Sequence, residues 1–176
     1  MMRCPGAHPT PSGPAGNPAP HLRIFAYGSL MQGGEFHDEF CTGALSIEKA
    51  SVRGLVDRSG RYPVLTVPES DILAVGTADV WKDLDAQERH GAFIEGADLL
   101  SEPWAAAHLA DEGGPQVAWE WVEGELITLE ESVSRLPTLD HLEGFIPDGK
   151  NLYRRVLAPA RNRETAEVEV AWARVR

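Results

Sequence analysis

The chain has 176 residues, enough for one domain with a substantial core and short of what two usually need. Its 43% hydrophobic and 24% charged content is that of an ordinary globular protein, and no apolar run approaches the length that spans a bilayer. A formal net charge of −11 argues against a general nucleic-acid binder, because a polyanion would be repelled, but it says little about a small substrate in a local pocket.

Residues 1–20 hold six of the thirteen prolines and three glycines, with almost no large apolar side chains. Such a segment buries too little surface to offset its ordering entropy, so a disordered leader is expected there and a folded domain over 21–176. The leader lacks the apolar core of a secretory signal, which makes a cytoplasmic location the default. Of the two cysteines, Cys4 lies in the leader and Cys41, beside Phe40, reads as core. A structural disulfide is not expected.

The domain opens with a strand, "LRIFAY" at 22–27, which runs into Tyr27-Gly28-Ser29-Leu30. Strands follow at 52–57, 62–67 and 72–80, the first two joined by "DRSGR", where Gly60 is free to take positive φ. Helices are expected at 84–93 and at 101–113, the second with Ser101 as N-cap and Gly113 past its end. A strand follows over 117–129, then two short helical turns over 129–145 broken at Pro137. Strands at 153–159 and 167–175 complete the chain. In the last, Val168, Val170 and Trp172 face one way and Glu167, Glu169 and Ala171 the other. Many strands with few helices between them indicate an α+β domain on a curled or barrel-like sheet. There is no internal repeat and no heptad seam.

The stretch with most chemical content is "LDHLEGFIPDGKNLYRRV", 139–156. Leu139 and Leu142, at i and i+3, turn one helical face to the core. Glu143 sits one step beyond that face, and Gly144 ends the helix in a left-handed conformation. By itself Glu143 reads as a solvated helix-terminal charge, and Tyr27–Leu30 as a strand running into a turn.

The ordered set "FAYGSL", "VRG", "YPVL", "VEGELITL", "LDHLEGF", "YRRV" and "VAWARV" changes that reading. It resembles the gamma-glutamylcyclotransferase-like family (gamma-glutamylamine cyclotransferase, AIG2-like), whose members carry an aromatic-Gly-Ser loop and a Leu-Asp-x-x-Glu-Gly motif. The resemblance covers residues 22–67 and 117–176. It implies a mixed β-barrel with a few flanking helices and a pocket at one end. It also implies a reaction in which a γ-glutamyl amine or amide cyclises to 5-oxoproline and releases the amine. Tyr27, Gly28, Ser29 and Leu30 would then form the substrate loop, Glu143 would be the catalytic acid/base, and Tyr153 would be an aromatic pocket residue.

That chemistry suits these residue types. The substrate's own α-amine attacks its γ-carbonyl, so the protein has chiefly to hold the folded conformer. One carboxylate takes a proton from the ammonium and returns one to the departing amine. Burial near Phe145, Ile146 and Tyr153 would lift a glutamate toward neutrality, where such a base works best. Gly28 lets a carboxylate approach the backbone, and successive N–H groups in a turn form an anion-binding concavity.

Rival readings are weaker. Ser29 lacks the second glycine of a G-x-S-x-G elbow, so a serine nucleophile is not expected. The six histidines form no H-E-x-x-H or Cys/His cluster, and His37-Asp38-Glu39 reads as a solvated face, so neither metal nor cofactor is expected. Alternation sends one of Arg154 and Arg155 inward or to the pocket rim and the other outward. Residues 70–116 depart from the family pattern as a helical insertion that packs on the barrel, with a lid the second reading. A non-catalytic binding module of the same fold is the alternative to the enzyme. Small molecules are the expected partners, and oligomeric state is not legible.

Overall fold

The computed structural model describes residues 19–95, 118–142, 144 and 153–176. In chain order the elements are β1 (Leu22–Ala26), α1 (His37–Phe40), β2 (Ser46–Asp57), β3 (Val64–Thr66), a 3₁₀ turn (Glu69–Asp71), β4 (Ala74–Val75), α2 (Val80–Glu95), β5 (Glu120–Leu129), α3 (Ser132–Leu142), β6 (Arg154–Asn162) and β7 (Val168–Val175).

Five of these strands close a mixed barrel. β2 runs antiparallel to β5, and β5 antiparallel to β1. β1 runs parallel to β7, and β7 antiparallel to β6. The ring closes where Ala50 and Ser51 of β2 meet Asn162 and Arg161 of β6. β3 extends along β2, and β4 along β6. The mixed barrel expected from sequence is therefore present, with helices α1, α2 and α3 beside it.

Strand alternation explains why both faces of the sheet are apolar. Phe25, Leu126, Ala171, Ala173 and Val175 belong to one buried cluster built from strands and strand ends, the barrel interior. Ile24, Ile127, Val170 and Trp172 belong to a second, which includes Leu84 of α2 and Leu136 and Leu139 of α3. Val170 and Trp172 share a face as their spacing predicts, and Ala171 opposite them is buried inside the barrel.

Several boundaries differ from the sequence expectation. The strand expected at 72–80 is only Ala74–Val75, because a helix start intervenes. The Asp79 side chain accepts the Lys82 amide at 3.1 Å, capping α2 four residues before the expected beginning. α3 runs unbroken through Pro137. Proline there removes one backbone donor, but Leu136 and Leu139 on either side are buried against the barrel, and that packing holds the helix together. Gly60 is not among the positive-φ residues; the Asp57 carboxylate organises that turn by accepting the Ser59 amide at 2.8 Å. The helix expected at 101–113 and most of the leader lie outside the described residues. Among the described residues, no helix is long and apolar enough to cross a membrane.

Candidate active site

β1 carries its chain to one end of the barrel, and there the sequence turns at Tyr27-Gly28-Ser29-Leu30. All four residues line a cavity of about 240 Å³. The opposite wall is α3, through Leu136, Leu139, Asp140 and Leu142, with Arg155 of β6 and Trp172 and Arg174 of β7 completing it. Loop and "LDHLEG" helix thus meet at one pocket, although more than a hundred residues separate them.

The Tyr27 ring is buried beside Phe25, with ring centroids 6.2 Å apart. Its hydroxyl donates to the Arg174 carbonyl at 2.8 Å and accepts the Leu65 amide at 3.3 Å. Burial raises its pKa above the ordinary tyrosine value. Tyr27 therefore ties the end of β1 to β3 and β7 through its hydroxyl.

The loop's carbonyls are spoken for. Gly28 accepts from Met31 at 3.0 Å, Ser29 from Phe36 at 3.0 Å, and the Leu30 carbonyl lies 2.8 Å from His37 Nδ1. No hydrogen bond is made by the amides of Gly28, Ser29 or Leu30 among the described residues. Three successive donors beside a cavity are what an anion-binding concavity requires. Gly28 also has a steric reason to be glycine, since a Cβ would lie 2.9 Å from Pro63 Cγ.

The next amide in the loop, Gln32, is held from below. It donates to Glu125 Oε2 at 2.7 Å, and the other oxygen of Glu125 pairs with Lys49 Nζ at 2.5 Å. Glu125 is 1% exposed. Sequence reasoning had only the strand motif "VEGELITL" here and no sign that this glutamate turns inward.

On the helix side, Asp140 Oδ2 lies 3.0 Å from Arg155 Nη1. Arg155 is buried, pairs also with Asp83 of α2, donates to the Thr77 carbonyl at 3.0 Å, and lies 5.1 Å from the Trp172 ring centre. Burial pushes the Asp140 carboxyl up to about 6; Arg155 opposes the rise and Asp83 reinforces it. Of the two adjacent arginines, Arg155 is therefore the inward one, and Arg154 pairs with Glu69 at 2.8 Å on the surface. Asp140 was missed in the sequence, although it lies one helical turn before Glu143 in the same motif.

Glu143 itself lies outside the described residues, as do Phe145 and Ile146. It stands between Leu142, which lines the cavity, and Gly144, whose φ of 65° is the left-handed helix end expected there. Tyr153 is not a lining residue. Its ring instead packs under the Arg174 guanidinium at 3.6 Å, and Arg174 does line the cavity. Cys41 is a buried free thiol, pushed up to about 11 by burial.

A closed mixed barrel with a glycine-bearing turn and a carboxylate-bearing helix at one end defines the class of fold as gamma-glutamylcyclotransferase-like. Residues 24–98 match the family model "Gamma-glutamyl cyclotransferase, AIG2-like". By fold, and over the matched residues, the chain is similar to gamma-glutamylcyclotransferase-like proteins. Among solved structures, it is similar to an AIG2-like protein (GGACT) of Mus musculus, with 15% identity and a TM-score of 0.50 over 89% of this chain and 77% of that one. YkqA of Bacillus subtilis aligns at 13% identity and a TM-score of 0.46, over 88% of this chain and 35% of that one. No curated protein matches the sequence. Family match and fold together support a gamma-glutamyl cyclotransferase-like function.

Proposed function

We propose that the chain cyclises a γ-glutamyl amine or amide to 5-oxoproline and releases the amine, with Glu143 as general acid/base. The observation that carries this reading is the cavity lined both by Gly28–Leu30, whose amides make no hydrogen bond among the described residues, and by the helix of the "LDHLEG" motif. An α-carboxylate seats on the amides, which fixes one end of the substrate and folds its chain for ring closure. The α-ammonium gives one proton to Glu143, and the freed amine forms a bond to the γ-carbon. As the tetrahedral intermediate collapses, Glu143 returns that proton to the leaving amine and the bond to it breaks; the second proton of the ring nitrogen then passes through the same carboxylate to the departing amine, leaving the lactam N–H and a released ammonium. The apolar wall of Leu136, Leu139 and Leu142 keeps water from competing for the γ-carbonyl.

The test is incubation with a panel of γ-glutamyl amines and dipeptides, with 5-oxoproline read by mass spectrometry. Wild type should release it from at least one member, and Glu143→Gln should lower turnover by about 10²–10⁴-fold. No release from any member, or equal turnover by Glu143→Gln, sinks the catalytic reading. Thermal stabilisation by a panel member without turnover would point to a binding module instead.

A further inference from the structure

We propose that Asp140 binds the α-ammonium group of the γ-glutamyl ligand, with Arg155 and Asp83 as positioning residues behind it. The proposal rests on the reading of the ligand given above and adds a site for its cation. An α-amino acid end carries a carboxylate and an ammonium on the same carbon. A pocket that takes the first on backbone amides therefore needs an anion close by for the second.

Among the described residues that line the cavity, Asp140 is the only carboxylate. Its placement is fixed from behind. Oδ2 is held by Arg155 Nη1 at 3.0 Å, and Oδ1 makes no hydrogen bond among the described residues. Leu139 is buried in the core and Leu142 packs against it, which fixes the helix backbone that carries Asp140.

Arg155 does not neutralise Asp140 fully, because Asp83 shares its charge. Asp83 does not line the cavity, and it is already well served: the Thr77 amide at 2.8 Å, the Thr77 hydroxyl at 2.9 Å, and Arg155 itself all donate to it. The Asp83–Arg155 pair thus behaves as a nearly balanced support. It leaves Asp140 partly desolvated and incompletely compensated, a carboxylate for which an incoming ammonium completes the charge balance. The upward displacement of its pKa has the same origin. Among the described residues, the other charges at this spot are Arg155 from β6, Arg174 from β7 and Asp83 from α2.

The test measures binding in a Glu143→Gln background, so that neither turnover nor the Glu143 charge contributes. The probes are N5-methyl-L-glutamine and its des-amino counterpart, the mono-methylamide of glutaric acid, compared by titration calorimetry. They differ only in the ammonium group. Glu143→Gln should bind the amino ligand about 10- to 100-fold tighter, the range of a charge-assisted hydrogen bond. Adding Asp140→Asn should bring the ratio close to one while leaving affinity for the des-amino ligand within about threefold. Should that variant not fold, Asp140→Ser, which also removes the carboxylate, gives the same comparison. No preference for the amino ligand in Glu143→Gln, or a preference that survives loss of Asp140, overturns the assignment. Release of 5-oxoproline by wild type reports separately on the reaction, so either reading can fail while the other stands.

Discussion

The Tyr27 hydroxyl is consumed by the protein. One hydrogen bond goes to the Arg174 carbonyl and another comes from the Leu65 amide, so three segments far apart in sequence meet on a single oxygen. Removing it in Tyr27→Phe leaves a buried Leu65 N–H without an acceptor. The expected cost is about 1–3 kcal/mol, read as a lower urea midpoint at unchanged slope. The ring and the backbone remain, so turnover should persist at temperatures where the variant is folded. Loss of turnover with no loss of stability would show instead that the hydroxyl touches substrate. Tyr27 lines the cavity, where the family pattern would put it, but pattern alone does not distinguish a side chain that contacts ligand from one that fastens the loop beneath it. Tyr153 shows the same limit, since it reaches the cavity only by supporting Arg174.

At the scale of elements, the loop depends on β5 and β2 through Glu125 and Lys49. Glu125→Ala leaves the Gln32 amide without its acceptor and strands the Lys49 ammonium. Lys49 is 55% exposed and rehydrates readily, so most of the effect comes from the loop amide. Stability should fall by about 1–3 kcal/mol, and KM for a γ-glutamyl substrate should rise more than kcat falls. Glu125→Gln, which still offers an oxygen to Gln32, should recover most of the KM effect. Equal KM values for Ala and Gln would mean that this contact does not position the loop. Glu125 was not legible in the sequence, because its inward turn depends on a lysine 76 residues away that pairs with it only in the folded barrel. Pro137 and Asp79 were misread for related reasons. Local signals marked a break in α3 and a strand before α2, whereas packing of Leu136 and Leu139 and capping by Asp79 decided otherwise. What was legible had a short range: the alternation of β7, the turn after β1, and the glycine that ends α3 at φ 65°.

At the scale of the whole molecule, the site exists because the barrel is narrow enough to bring its strand ends to one mouth. Small residues set that width. Gly124 of β5 faces β1 so closely that a Cβ would run into the Ala26 carbonyl oxygen and lie 2.6 Å from Phe25 Cζ. The carbonyl is backbone of a strand paired to β5, and the ring fills the interior, so neither has room to retreat. Gly124→Ala should therefore destabilise by about 1–3 kcal/mol, and by more if β1 has to shift. Because Ala26 leads directly into Tyr27–Leu30, the same shift should weaken binding at the loop amides. Gly91 of α2 supplies the contrast: a Cβ there meets nothing closer than 3.7 Å, and helix propensity favours alanine over glycine by about 0.8–1.0 kcal/mol. Gly91→Ala should thus leave ligand affinity unchanged and raise the unfolding midpoint. If both variants lowered ligand affinity equally, strand spacing at Gly124 would not be what sets the mouth of the pocket, and the loop would have to be held by its own contacts alone.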